Sequence, residues 1–225
     1  MRLLLISSST VHGYGYLDHP EPEIRSFLSG RSRVAFVPFA LHDRDAYAAK
    51  VRERLGRMGF EVAQVRGPAD LDAAEAVFVG GGNTFRLLKA LYETGVLEAI
   101  RERAGAGLPY VGSSAGSNVA GPTIKTTNDM PIVYPPSFDA LALFPFQINP
   151  HYLDPDRDST HMGETREQRI VEFLEESDTP VVAIREGSAI RMEDGRATIV
   201  GTKGARVFRR GTDPVEIGPG SVIPT

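Results

Sequence analysis

The sequence predicts an α/β chain, a mostly parallel sheet flanked by helices with a small C-terminal antiparallel extension. Three observations predict it. Between Arg2 and Val111, short apolar runs alternate with stretches of helical periodicity, as they do where helices bury a parallel sheet on both faces. Two of those runs pass into glycine-rich turns and then into helical patterns, at Gly80-Gly81-Gly82 and at Gly112-Ser113-Ser114-Ala115-Gly116. After Glu176 the helical periodicity stops, and short apolar runs separated by glycine-containing turns replace it.

The elements follow in order. Arg2 to Ser8 reads as a buried first strand closed by a polar loop, and Glu21 to Leu28 as a helix. Arg33 to Phe39 is the next strand. Asp43 to Met58 places Ala48, Val51, Leu55 and Met58 on one helical face. Glu61 to Val65 and Ala76 to Val79 are further strands; Phe85, Leu87, Leu88 and Leu91 recur as a helix face does, and Val96 to Ala104 is helical. Seven prolines interrupt Gly121 to Asp158, where Leu141 to Ile148 has room for one strand; such long irregular segments are more often functional than idle. Glu164 to Glu176 is a helix with Ile170, Phe173 and Leu174 inward. Short strands then fall at Val181 to Ile184, Ala189 to Met192, Ala197 to Val200, Arg206 to Phe208 and Val215 to Ile217.

A chain of 225 residues, 41% hydrophobic and 24% charged, suits one soluble domain spanning 1–225. A net charge of −4 without a basic run gives no electrostatic footprint for nucleic acid or an anionic membrane, so neither is an expected partner. The absence of cysteine excludes a disulfide scaffold, a thiolate zinc site and a cysteine nucleophile. Met1 to Ile6 is too short for a signal peptide or membrane span, and the expected location is cytoplasmic.

Gly112-x-Ser114-x-Gly116 fits a nucleophile elbow, in which a strained strand-to-helix turn exposes a serine hydroxyl and small neighbours make room for it. Ser114 is the candidate nucleophile. The Ala115 N–H at the helix start and the Gly82 N–H of the glycine turn are candidate oxyanion donors. That turn lacks the spacing and the Gly-Lys-Ser/Thr ending of a phosphate cradle. A serine needs a base, and the base an orienting acid. Of five histidines, His12, His19 and His42 lie in polar loops and His161 among charged residues, whereas His151 follows the apolar Gln147-Ile148 and stands at a strand edge. Asp129, Asp154 and Glu186 are candidate acids. The histidines lack metal-ligand spacing, so no metal and no cofactor is expected.

Taken together, Val79 to Phe85, Gly112 to Gly116, Thr126 to Val133, Phe138 to Leu141, Gln147 to His151 and Gly163 to Ile170 resemble blocks of the peptidase E (α-aspartyl dipeptidase) family, in family order. The resemblance implies a class I glutamine-amidotransferase-like (flavodoxin-like) three-layer sandwich. It also implies a serine exopeptidase that hydrolyses dipeptides with N-terminal aspartate (Asp-X) without a metal, through an acyl-serine intermediate. Ser114 matches the nucleophile, His151 the base, and Gly82 with Ala115 the oxyanion amides. Both Asp129 and Glu186 match family blocks for the third member; Glu186 is favoured because a short late-strand turn can approach a strand-end histidine. Ser114 and Leu153 stand where amidotransferase relatives carry a cysteine and an acid, which speaks against glutaminase activity. Arg166 is the expected partner of the aspartyl carboxylate; Arg169, with Glu172 three residues on, is read as a solvated surface arginine. A homodimer is expected of such enzymes. The alternatives are a cyanophycinase-like hydrolase of β-aspartyl-arginine units and a non-catalytic ligand-binding member of the fold.

Overall fold

Five short strands pair in parallel, β1 (Leu3–Ile6), β2 (Arg33–Val37), β3 (Glu61–Gln64), β4 (Ala76–Val79) and β5 (Tyr110–Ser113). The structure is a computed structural model, and it describes every residue except Arg157, Ser159, His161 and Thr225. Pleating sends alternate residues of these strands to opposite faces, and a separate core forms on each. Leu4, Ile6, Phe36 and Phe78 pack on one face against α1 (Glu21–Phe27) and α2 (Arg44–Arg57). Leu3, Leu5, Val77 and Val79 pack on the other against α3 (Thr84–Thr94) and α4 (Val96–Gly105). Each large apolar side chain buried in this way contributes about 1.5–3 kcal/mol.

Helix ends follow local chemistry. The Asp43 side chain accepts from the Ala46 N–H at 2.9 Å and starts α2, and Asn83 accepts from the Arg86 N–H at 3.0 Å and starts α3. Gly95, at φ 72°, ends α3 and lets α4 begin in a new direction.

After the short α5 (Ala115–Asn118), the chain runs through an irregular stretch into β6 (Gln147–Tyr152) and, beyond α6 (Arg166–Glu175), β7 (Val181–Arg185). Leu141 to Phe146 is therefore not strand. Leu141, Leu143, Phe144 and Phe146 are buried as a loop, so their apolarity marks core position rather than sheet pairing.

Within the tail, β7 pairs in parallel with β6, unlike the expected antiparallel extension, whereas β8 (Ser188–Glu193), β9 (Arg196–Gly201), β10 (Ala205–Phe208) and β11 (Val215–Ile217) make antiparallel pairings. They divide between two sheets. β8 pairs with β1 and carries β9, giving the order β3-β2-β4-β5-β1-β8-β9; β10 and β11 join β7 and β6 in the order β11-β10-β7-β6. α6 covers this second sheet through Ile170 and Leu174. Residues of both sheets meet in one core, Leu3, Leu5 and Ile190 with Ile148, Val182 and Ile184.

Candidate active site

β4 and β5 are parallel neighbours with Val79 opposite Gly112, so the loops that leave their carboxyl ends lie side by side. Ser114 occupies the second of these loops at φ 54°, ψ −112°, a conformation that costs a residue with a Cβ about 1–3 kcal/mol. Close packing holds it there. A Cβ on Gly112 would lie 2.4 Å from the Gly116 carbonyl oxygen, and one on Gly116 would lie 2.1 Å from that of Val79. The motif's two glycines are thus a steric requirement. The Ser114 N–H and the Ser117 hydroxyl both donate to the Ile6 carbonyl, at 3.0 and 2.7 Å, and tie the elbow to β1.

His151 also has a positive φ, 56°, and it lies inside β6 where the register with β7 shifts between Asn149 and Tyr152. Pro150 has no N–H for the ladder and suits such an irregularity at an edge strand. The His151 N–H donates to Ser7 Oγ at 2.9 Å, and that hydroxyl donates to the Ile184 carbonyl at 2.8 Å. Ser7, just past β1, therefore joins the main sheet to β6 and β7. His151 Nε2 lies 2.8 Å from Ser114 Oγ, and Nδ1 lies 2.6 Å from Glu186 Oε1. With its proton on Nδ1, facing the carboxylate, the imidazole presents the Nε2 lone pair to the serine hydroxyl. Glu186 sits in the two-residue turn where the chain crosses from β7 to β8.

The other candidate acids have different partners. Asp129 Oδ2 accepts from the N–H and hydroxyl of Thr84, at 2.7 and 2.6 Å, and so fixes the start of α3. Asp154 accepts two bonds from the Arg185 guanidinium, at 2.6 and 2.7 Å. The N–H groups of Gly82 and Ala115 donate to no protein acceptor among the described residues, and Gly82 has a φ of 135°. A Cβ on Gly81 would lie 3.0 Å from that of Ser114, so the glycine loop lies directly against the serine. Two free amides beside a hydroxyl–imidazole–carboxylate chain suit acyl transfer.

Ser114 and His151 open into a cavity of about 730 Å³ with Gly81, Gly82, Tyr47 and Arg86 in its walls. Arg166 lines a different one, of about 450 Å³, with Leu153, Asp154 and Arg169. Burial and the neighbouring Arg169 push the Arg166 guanidinium below its ordinary value, and Asp129 opposes them. Arg169 pairs with Glu164 at 3.4 Å rather than with Glu172. His42 borders the Ser114 cavity; His19 has both ring nitrogens buried and unbonded among the described residues, and burial lowers its pKa. His12 is exposed, and His161 lies outside the described residues. No group of three or more His, Cys, Asp or Glu among the described residues is placed to hold a metal. Sequence reasoning missed Ser7 and Asn118, whose Nδ2 donates to the Ile148 carbonyl at 2.6 Å and braces β6 against α5. Nothing in the spacing of residues so far apart could have joined them.

Comparison with known proteins adds the family. The model of peptidase family S51 matches residues 3–200. The chain is similar to peptidase E of Streptomyces coelicolor, 57% identical over 98% of this chain and 93% of that protein. It is also similar to a Drosophila melanogaster protein named "Probable alpha-aspartyl dipeptidase", 49% identical over 96% and 93%. Among solved structures, a peptidase from an acI-B1 actinobacterium has the same fold, with a TM-score of 0.73 over 99% of this chain and 96% of that one, at 18% identity.

Proposed function

Because the chain belongs to peptidase family S51, we propose that it is a metal-independent serine exopeptidase that hydrolyses Asp-X dipeptides through an acyl-serine intermediate. The observation that carries this reading is the continuous chain Ser114 Oγ, His151 Nε2, His151 Nδ1, Glu186 Oε1, with steps of 2.8 and 2.6 Å. Ser114 attacks the scissile carbonyl while His151 takes its proton, and the carbonyl electrons move onto an oxygen held by the Gly82 and Ala115 amides. Collapse of this tetrahedral species expels the X residue as a free amine, protonated by His151. Water, deprotonated by His151, then hydrolyses the ester and releases aspartate. Glu186 holds the imidazole in one tautomer and stabilises its charged form. Asp129 acts outside this relay by fixing Thr84, and Arg166 receives the aspartyl carboxylate. A name for one relative, alpha-aspartyl dipeptidase, supports the Asp-X preference.

The test is release of free aspartate from Asp-Leu in the presence of a chelator, with Leu-Leu and Asn-Leu as controls. Cleavage of Asp-Leu alone is expected, with kcat lower by several orders of magnitude in Ser114→Ala. Activity that survives the substitution would remove Ser114 from the mechanism.

A further inference from the structure

We propose that Arg86, assisted by Lys50, binds the free α-carboxylate of the leaving residue and so limits the enzyme to substrates that end one residue past the scissile bond. The inference rests on the Asp-X dipeptidase reading and names a subsite of that same site.

Arg86 is the third residue of α3, and its side chain lines the 730 Å³ cavity that holds Ser114 and His151. It is half-buried, yet its guanidinium forms no ion pair and no hydrogen bond among the described residues. Arg54 and Arg206, by contrast, meet acids, Arg54 with Asp18 and Glu21 and Arg206 with Glu167. The helix offers Arg86 no acid, because the positions three and four residues away are Gly82, Asn83, Lys89 and Ala90. Lys50 lines the same cavity, with Nζ 4.3 Å over the Tyr16 ring. Its nearest helical acid, Glu53, is engaged by Arg57 at 2.5 Å. Asp43, the carboxylate in the cavity wall, already caps α2.

Two cations that form no ion pair among the described residues, beside a nucleophile, suit an anionic ligand group, since a partly desolvated guanidinium gains most from a bidentate carboxylate. An Asp-X dipeptide has two carboxylates, one on each side of the scissile bond. The reading above gives the aspartyl group to Arg166, which lines a cavity that Arg86 does not share. The α-carboxylate of X, one carbon beyond the scissile nitrogen's own Cα, remains for the Arg86 side.

Steady-state kinetics on Asp-Leu and on its C-terminal amide test this for the native protein, Arg86→Gln, Arg86→Lys and Lys50→Gln. The native protein is expected to prefer the free acid. Arg86→Gln should lower kcat/KM for Asp-Leu about 10- to 100-fold, mostly through KM, and bring the acid-to-amide ratio towards one. Arg86→Lys should restore part of the ratio. Lys50 is exposed, so Lys50→Gln keeps its fold and should lower the ratio by a smaller factor even if Arg86→Gln folds poorly. Equal native rates on acid and amide, or an equal loss on both in Arg86→Gln, would overturn the proposal while leaving the dipeptidase reading intact. If the native protein cleaves neither substrate, both fall.

Discussion

Ser7 is small and far from Ser114 in sequence, yet its hydroxyl fixes the backbone on which His151 sits. It accepts from the His151 N–H and donates to the Ile184 carbonyl, so it holds a left-handed residue in place and sets its distance from the Glu186 turn. In Ser7→Ala the His151 N–H loses its acceptor inside the fold, at a cost of about 1–3 kcal/mol. The imidazole is then free to settle in a relaxed conformation. We expect kcat on Asp-Leu to fall roughly 10-fold with KM little changed, because the substituted group lies behind the base and away from substrate. A rise in KM with kcat unchanged would place Ser7 in substrate binding instead. At this scale the sequence made Ser114 and His151 legible, one through steric demands that only glycine satisfies and the other through its place beside an apolar strand. It favoured Glu186 over Asp129 without separating them firmly, since each is an acid in a short loop. What separates them is a crossover between two sheets, and no local pattern encodes that.

Among the elements, the start of β2 and the start of β4 are locked together by Glu75. Its carboxylate accepts from the Ser32 N–H at 2.7 Å, the Arg33 N–H at 3.0 Å and the Ser32 hydroxyl at 3.0 Å, and its own N–H donates to the Arg33 carbonyl at 2.9 Å. Those donors hold the carboxyl at a pKa of about 2, below the ordinary glutamate value of about 4.3. A carboxylate depressed by folding contributes stability above its unfolded pKa and loses it as pH falls towards the folded one. Glu75→Gln should therefore lower the urea midpoint at pH 7 and flatten its decline between about pH 4 and pH 2. Parallel pH profiles for the two proteins would show that Glu75 gains nothing from its donors. The inner parallel strands β1, β2 and β4 were legible because burial on both faces makes them almost continuously apolar, whereas β3 is an edge strand with one buried residue. β6 was misplaced towards Leu141 because a buried loop and a buried strand have the same composition, and the division of the tail between two sheets was hidden because its partners, β1 and β7, are not the nearest strands in sequence to each segment.

For the whole molecule, the position of the site matters more than any one contact. Ser114 comes from the main sheet, His151 from the second, and Glu186 from the turn between them. Any opening between the sheets would separate Ser114 from His151. Against such opening stands a single apolar core to which both sheets contribute, Leu3, Leu5 and Ile190 from one and Ile148, Val182, Ile184 and Val207 from the other. Separating them would expose several large side chains, each costing about 1.5–3 kcal/mol, so partial opening gains little over complete unfolding. We propose on this ground that 1–225 unfolds as one cooperative unit. In a urea titration the loss of Asp-Leu hydrolysis, of far-UV circular dichroism and of the summed fluorescence of the seven tyrosines, which include the buried Tyr110 of the main sheet and Tyr152 of the second, should then superimpose. Activity that disappears at a clearly lower urea concentration than the helical signal would mean that the sheets part first, and that the shared core is weaker than its composition implies.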